Sequence, residues 1–219
     1  ASLSSNTLGQ YNTAIGYAAL LAANHTTATE AYNTAVGYAA GAAVTTATIN
    51  TLIGALAGDA LTSGNSNVAV GFTALSADTQ GDRNVAIGNN ALAQQNFTTS
   101  TDSYNVAVGY VAGGSVSTGT ENTLIGGLSG DALTTGAANV ALGYLALTAD
   151  TAGNGSTAIG KNALAAQNSS GDTLNTAVGL AAGTSVTTGV QNTLIGVFAG
   201  DALTDADFNV AIGYGALGA

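Results

Sequence analysis

The sequence predicts an all-β chain: a parallel β-solenoid, or β-roll, of about twelve 17-residue coils. Three observations predict it. A unit of the form Asn-[Thr/Val]-[Ala/Leu]-[Ile/Val/Leu]-Gly recurs twelve times, with one Ser in place of the Asn. The recurrence has a fixed short period. The residues inside the unit alternate branched, small and branched, as a short strand requires.

The phasing glycines are Gly16, Gly37, Gly54, Gly71, Gly88, Gly109, Gly126, Gly143, Gly160, Gly179, Gly196 and Gly213. The steps between them run 21, 17, 17, 17, 21, 17, 17, 17, 19, 17 and 17. A helical repeat needs about 33 residues to hold two helices. The shorter unit fits one solenoid turn of two or three short strands with corners.

A second period lies above the first. The interval from Gly16 to Gly88 equals that from Gly88 to Gly160. The residue four after each phasing glycine runs Leu20, Gly41, Gly58, Leu75, and this Leu-Gly-Gly-Leu rhythm repeats to Leu217. The chain therefore divides into an N-terminal lead-in or partial coil (1–11) and three four-coil blocks, 12–83, 84–155 and 156–219. The last coil is read as incomplete, with an open edge that should pair with something. All are expected to form one continuous solenoid domain. The longer coils open each block. Their extra Thr/Ser/Asn-rich residues, at 21–32, 93–104 and 165–174, are expected to bulge outward, where binding usually lives.

Each unit opens on an asparagine: Asn12, Asn33, Asn50, Asn67, Asn84, Asn105, Asn122, Asn139, Asn175, Asn192 and Asn209, with Ser156 the exception. In stacked coils such amides can form a ladder, and Asn tolerates a left-handed corner. The phasing glycines fit a corner with positive φ or a close backbone approach. The third residue after each glycine is Ala, or Ser129 in one coil, so that site must be narrow.

At about 4.8 Å per stacked strand, twelve coils would span about 57 Å. One coil encloses only a thin core of Ile, Val, Leu and Ala. The residues before the glycine, such as Ile15, Val36 and Ile53, are expected to line it. Ala14, Leu52, Leu124 and Leu194 should then point the other way. Two apolar faces on one strand imply burial on both sides, and several chains side by side would supply it. The expected partner is the chain itself, as a side-by-side or intertwined homotrimer.

Composition narrows the function. Charged residues are 6% and the net charge is −10, with Lys161 and Arg83 the two cations. That balance argues against nucleic acid, whose phosphates need cations, and against an anionic membrane surface. There is no Cys and no apolar run long enough to insert in a membrane. The N-terminal Ala-Ser-Leu-Ser suggests a processed product or fragment.

No catalytic, metal or cofactor set emerges, and the chain reads as a non-enzyme without cofactors. His25, the sole histidine, reads as a surface-loop residue without ligand partners. Asp59, Asp131 and Asp201 recur in third coils, and Asp78 and Asp150 in fourth coils. Gly-Asp corners, where Asp caps local amides, account for them. Tyr17, Tyr38, Phe72, Tyr110, Tyr144 and Tyr214 follow phasing glycines. This broken aromatic stripe could stack on sugar rings, but packing between chains is the favoured use.

The segments NTAIGYAAL at 12–20 and NTAVGYAA at 33–40 resemble phage tail-fibre repeats of the NTAIGY type. They are also similar to the Ala-Ile-Gly head repeats of trimeric autotransporter adhesins, which form left-handed parallel β-rolls as trimers. The adhesin repeats are shorter, so the fibre group fits better. The resemblance covers residues 12–219. It implies a trimeric structural or adhesive segment in a virion tail fibre or at a cell surface, with a host surface receptor or glycan as outside partner. Nothing in the chain matches the self-cleaving chaperone domain that ends many such fibres. Two other readings stay open: an extracellular filament assembling end to end, and an ice-binding solenoid, which needs an unbroken ladder of outward Thr.

Overall fold

Thr, Val and Ile crowd a helix turn and suit the pleated backbone, and the glycine behind them ends the pleat. Each repeat accordingly contributes one three-residue strand. The computed structural model describes residues 2–218, and among them there is no helix. The chain is a parallel β-solenoid of about twelve coils of about 17 residues.

Two compact units divide it, Ala1–Asn105 and Val106–Ala219. In the first, strands Thr13–Ile15, Thr34–Val36, Thr51–Ile53, Val68–Val70 and Val85–Ile87 pair in parallel, with Ala14, Ala35, Leu52, Ala69 and Ala86 in register. In the second, Val106–Val108, Thr123–Ile125, Val140–Leu142, Thr157–Ile159, Thr176–Val178, Thr193–Ile195 and Val210–Ile212 do the same. Bonds run to the coils on both sides: Thr34 N donates to the Asn50 carbonyl and Gly37 N to the Ile15 carbonyl, each at 2.8 Å.

The facing of the strands is the reverse of the expectation. Leu52, Leu124 and Leu194 are fully buried, as are Ala35, Ala69 and Ala107. The residues before the glycines face out: Ile15 is 60% exposed and Ile53 39%. The reason is width. A coil this short has room inside for Ala, with Leu only where a neighbour is small, so the branched flanks go outward.

That constraint explains the Leu-Gly-Gly-Leu rhythm. Leu52 reaches into space that glycines leave open in its own coil and the one before. A Cβ on Gly41 would lie 2.6 Å from Leu52 Cδ1, and one on Gly58 would lie 2.8 Å from Leu52 Cδ2. Leu124 with Gly130, and Leu194 with Gly183 and Gly200, repeat the arrangement. In the flanking coils, where the strand centre is Ala, Leu20 and Leu75 fill the same place and are fully buried. Leu and Gly thus alternate to fill one inner place within each unit. The Ala column that follows each glycine, Ala19 through Ala199 with Ser129, is also fully buried.

The corners are left-handed. The residue before each opening Asn has positive φ, among them Tyr11 (59°), Ile49 (60°), Arg83 (62°) and Glu121 (61°). The corner is therefore one residue earlier than the Asn. The second and fourth residues after each phasing glycine are left-handed too, including Thr73 (52°) and Val111 (56°). Such φ values are rare for branched side chains. They aim amides along the stack: Ile49 N donates to the Ala31 carbonyl at 2.7 Å.

Candidate functional site

The asparagines are internal. Asn33, Asn50, Asn67, Asn84, Asn105, Asn122, Asn139 and Asn175 are fully buried, and Asn192 nearly so. Asn12 and Asn209 are half-buried. The dominant bond is not amide to amide. Within each unit the Oδ1 accepts the backbone N–H that opens the next coil, as in Asn50 N to Asn33 Oδ1 at 3.0 Å and Asn192 N to Asn175 Oδ1 at 2.8 Å. In most coils the Nδ2 crosses its own coil to a carbonyl fourteen residues on, as in Asn50 to Gly64 at 2.9 Å and Asn139 to Gly153 at 2.8 Å. Asn84 and Asn209 instead reach the carbonyl two residues back, at 3.4 and 3.1 Å, and Asn12 Nδ2 is buried without a partner. A longer amide-to-amide contact runs beside it, 3.2 Å from Asn50 Nδ2 to Asn33 Oδ1. Most of these Asn thereby close one coil and dock the next within their unit. Ser156 is too short for this, and Gln167 and Thr173 fill in, with Gln167 Nε2 donating to Ser156 Oγ at 3.0 Å.

The phasing glycines have φ between 120° and 145°. A Cβ on Gly54 would meet the Gly71 carbonyl oxygen at 2.4 Å, and most of the column repeats that approach within its unit.

Other side chains depart from the sequence reading. His25 is 4% exposed, its ring over Gly9, and its Nε2 is buried without a partner. It takes the inward place that the buried Phe97 takes in the long coil of the next block, so it is a core residue and not a surface one. The extra residues of the long coils likewise do not simply bulge. They lay Thr29–Glu30, Thr101–Asp102 and Ser170–Asp172 as short parallel strands against Gly9–Gln10, Gly81–Asp82 and Ala152–Asn154. They also put Gln95, Phe97, Ser103, Gln167 and Thr173 inside.

The two Asp columns differ. Asp78 and Asp150 are fully buried. They cap the Gly81 and Gly153 amides at 3.0 Å and accept Gln95 and Gln167 Nε2 at 2.6 and 2.5 Å. Gln95 and Gln167 in turn accept Asn105 and Asn175 Nδ2 at 2.8 and 2.9 Å. Sequence reasoning missed these glutamines; their recurrence at the block interval was the available signal. Asp131 accepts the Thr148 hydroxyl at 2.5 Å. Asp59 has Ser76 in the equivalent place, and its Oδ1 is buried without a partner. Burial pushes the Asp59 carboxyl above the ordinary carboxylate range, and a bond to its own backbone amide opposes the shift.

Among the described residues, no three His, Cys, Asp or Glu side chains are grouped to hold a metal ion. No helix among the described residues is long and apolar enough to cross a membrane.

The outer strand face is partly exposed. In both units it carries only Thr, Val, Ile and Leu, with no charge. Ile87 and Ile195 are 38% exposed, and Leu142 41%. Aromatic rings border it. Tyr17 stacks on Tyr38 with centroids 5.6 Å apart, and Tyr11 on Tyr32 at 5.1 Å. Tyr110 and Tyr144 are exposed on the second unit. Arg83 pairs with Asp102 and lies 5.7 Å from the Tyr104 ring centroid. Comparison with family models, with curated proteins and with solved structures finds no match for this chain.

Proposed function

We propose that the chain is a structural, adhesive fibre segment that works as a homotrimer. One observation carries the reading: an uncharged ladder of Ile, Val, Leu and Thr lies partly exposed on the outer strand face of each unit. Contiguous apolar surface on a soluble protein marks an association site. Copies of the same face would bury these side chains as a second core, with the tyrosines at its border. The repeat's resemblance to fibre and adhesin units, set at a virion tail fibre or cell surface, supports the same reading. A receptor or glycan would bind elsewhere on such a segment.

Size-exclusion chromatography with light scattering tests it. The expected mass is about three times 21.0 kDa. Ile87→Lys with Ile125→Lys should yield a folded monomer. A wild-type monomer at high concentration would overturn the proposal.

A second reading has one observation in its favour. Thr13, Thr34 and Thr51 are consecutive on the outer face and could order water as ice does. The run breaks at Val68 and Val85. The corner threonines are already engaged, as Thr62 donates to the Thr79 carbonyl at 3.0 Å. Thermal hysteresis in a monomeric sample would favour this reading over the fibre.

A further inference from the structure

The long coils carry a feature that neither packing nor the strand face explains. Four of the chain's asparagines stand in the Asn-x-Ser/Thr pattern: Asn24-His25-Thr26, Asn96-Phe97-Thr98, Asn154-Gly155-Ser156 and Asn168-Ser169-Ser170. This is the acceptor pattern for N-linked glycan. Asn24, Asn96 and Asn168 are spaced at the block interval, at one position in the long coil of each block. The residue between Asn and the hydroxyl changes from His to Phe to Ser, while the two ends of the pattern recur.

The structure separates these three from the fourth. Asn24, Asn96 and Asn168 are exposed, and so are Thr26, Thr98 and Ser170. Each accepts a threonine hydroxyl from the preceding coil on Oδ1: Thr7 at 2.8 Å, Thr79 at 3.2 Å and Thr151 at 3.0 Å. Among the described residues, no hydrogen bond uses the Nδ2 of any of them. The amide is held by its oxygen and its nitrogen is left to solvent. Asn154 is the opposite case. It ends a strand, half-buried, with Oδ1 taken by Ala137 N at 2.9 Å and Nδ2 by Asp172 at 3.3 Å. The ladder asparagines have no such pattern and are buried.

We infer that Asn24, Asn96 and Asn168 are acceptor sites for N-linked glycan, one per four-coil block. The donor is a sugar whose anomeric carbon bears a pyrophosphate leaving group, brought by a transferase. The Nδ2–C1 bond forms as the C1–O bond breaks. The bonding pair departs on the phosphate oxygen, and the amide proton passes to a base of the transferase. The sites lie about half a coil from the strand, eight residues past the phasing glycine. None of the three sites uses a residue of the outer strand face, so the inference stands or falls apart from the trimer.

The test secretes the full 219-residue chain behind a cleavable leader from a host with an N-glycosylation pathway. Intact mass is read before and after peptide N-glycosidase in heavy-oxygen water, with peptide mapping of the tagged Asp. Glycan at two or all of Asn24, Asn96 and Asn168, with Asn154 bare, is the expected result. Asn24→Gln, Asn96→Gln and Asn168→Gln should each remove one glycan without moving the melting temperature of the deglycosylated chain. Folded, secreted chain with fewer than two of the three modified, or with glycan on Asn154, would overturn the inference.

Discussion

Gln95 donates its side-chain amide to the carboxylate of Asp78 at 2.6 Å, across one coil boundary, with both side chains fully buried. The Phe97 amide adds a third donor to that carboxylate at 3.1 Å. Asp78 and Gln95 share a core column with Val44 and Leu61, so a polar layer interrupts an apolar one where one block meets the next. Gln95→Leu leaves a buried carboxylate short of a donor, at a cost of about 2–3 kcal/mol. Asp78→Leu with Gln95→Leu removes the buried charge but strips the Gly81 and Phe97 amides of their acceptor, so it should be less stable than Gln95→Leu alone. Urea midpoints of the two variants check this; a double variant at least as stable as Gln95→Leu would show that the capped amides contribute nothing.

Two kinds of glycine substitution should separate. Gly54→Ala sets a Cβ 2.4 Å from a backbone oxygen at a φ of 132°, where neither side can yield. It is expected to abolish soluble folded protein. Gly41→Ala meets the methyl end of Leu52, at a φ of 59°. Its cost should be about 1–3 kcal/mol, reduced when Leu52→Ala accompanies it. Soluble yield for Gly54→Ala and circular dichroism melts for the other two variants give the order.

Asn67→Ala strips the Asn84 amide of one acceptor at 2.9 Å and the Gly81 carbonyl of one donor at 2.9 Å. Two buried polar groups losing partners should cost about 2–4 kcal/mol. Asn209→Ala, at a half-buried position, should cost clearly less. Thermal midpoints measured side by side decide it.

The raised Asp59 carboxyl has a defined signature. Its folded pKa lies above 3.8, the unfolded reference, because burial disfavours the charge. The folded state therefore binds this proton more tightly than the unfolded state. Stability from this group is greatest below 3.8 and falls as pH rises through the folded value. Asp59→Asn should raise the melting temperature at neutral pH and give no advantage in acid. Asp131→Asn should give no such gain, since Thr148 already donates to that carboxylate. Melts at pH 7 and below the carboxylate range test both.

Much of the fold was legible because a solenoid repeats its constraints. Phasing on glycine located every ladder strand, since a strand of three branched or small residues must end where Gly16 and its equivalents take a φ open to glycine alone. Which side of the strand faces inward was not legible. Ile and Val look more like core than Ala does, and only the narrowness of the closed coil reverses that preference. The left-handed corner at Ile49 was hidden for a similar reason: nothing in an isoleucine announces it, and the stack imposes it. His25, Gln95 and Gln167 were misread or overlooked because the long coils fold part of their extra length inward, which only three-dimensional closure reveals.

The left-handed corners carry a kinetic consequence. Each non-glycine residue in that conformation costs about 1–2 kcal/mol, and most coils hold at least two. A solitary turn of this chain has no neighbour to accept amides such as Ile49 N, so it gains nothing against that strain. A turn becomes worth forming only on an existing one, which hands it a template for amide, carbonyl and asparagine alike. Folding should then advance like crystal growth from a rare seed, slow to begin and quick to extend. Dissolution would start from exposed ends, and the interior would be the last to exchange its amides with water.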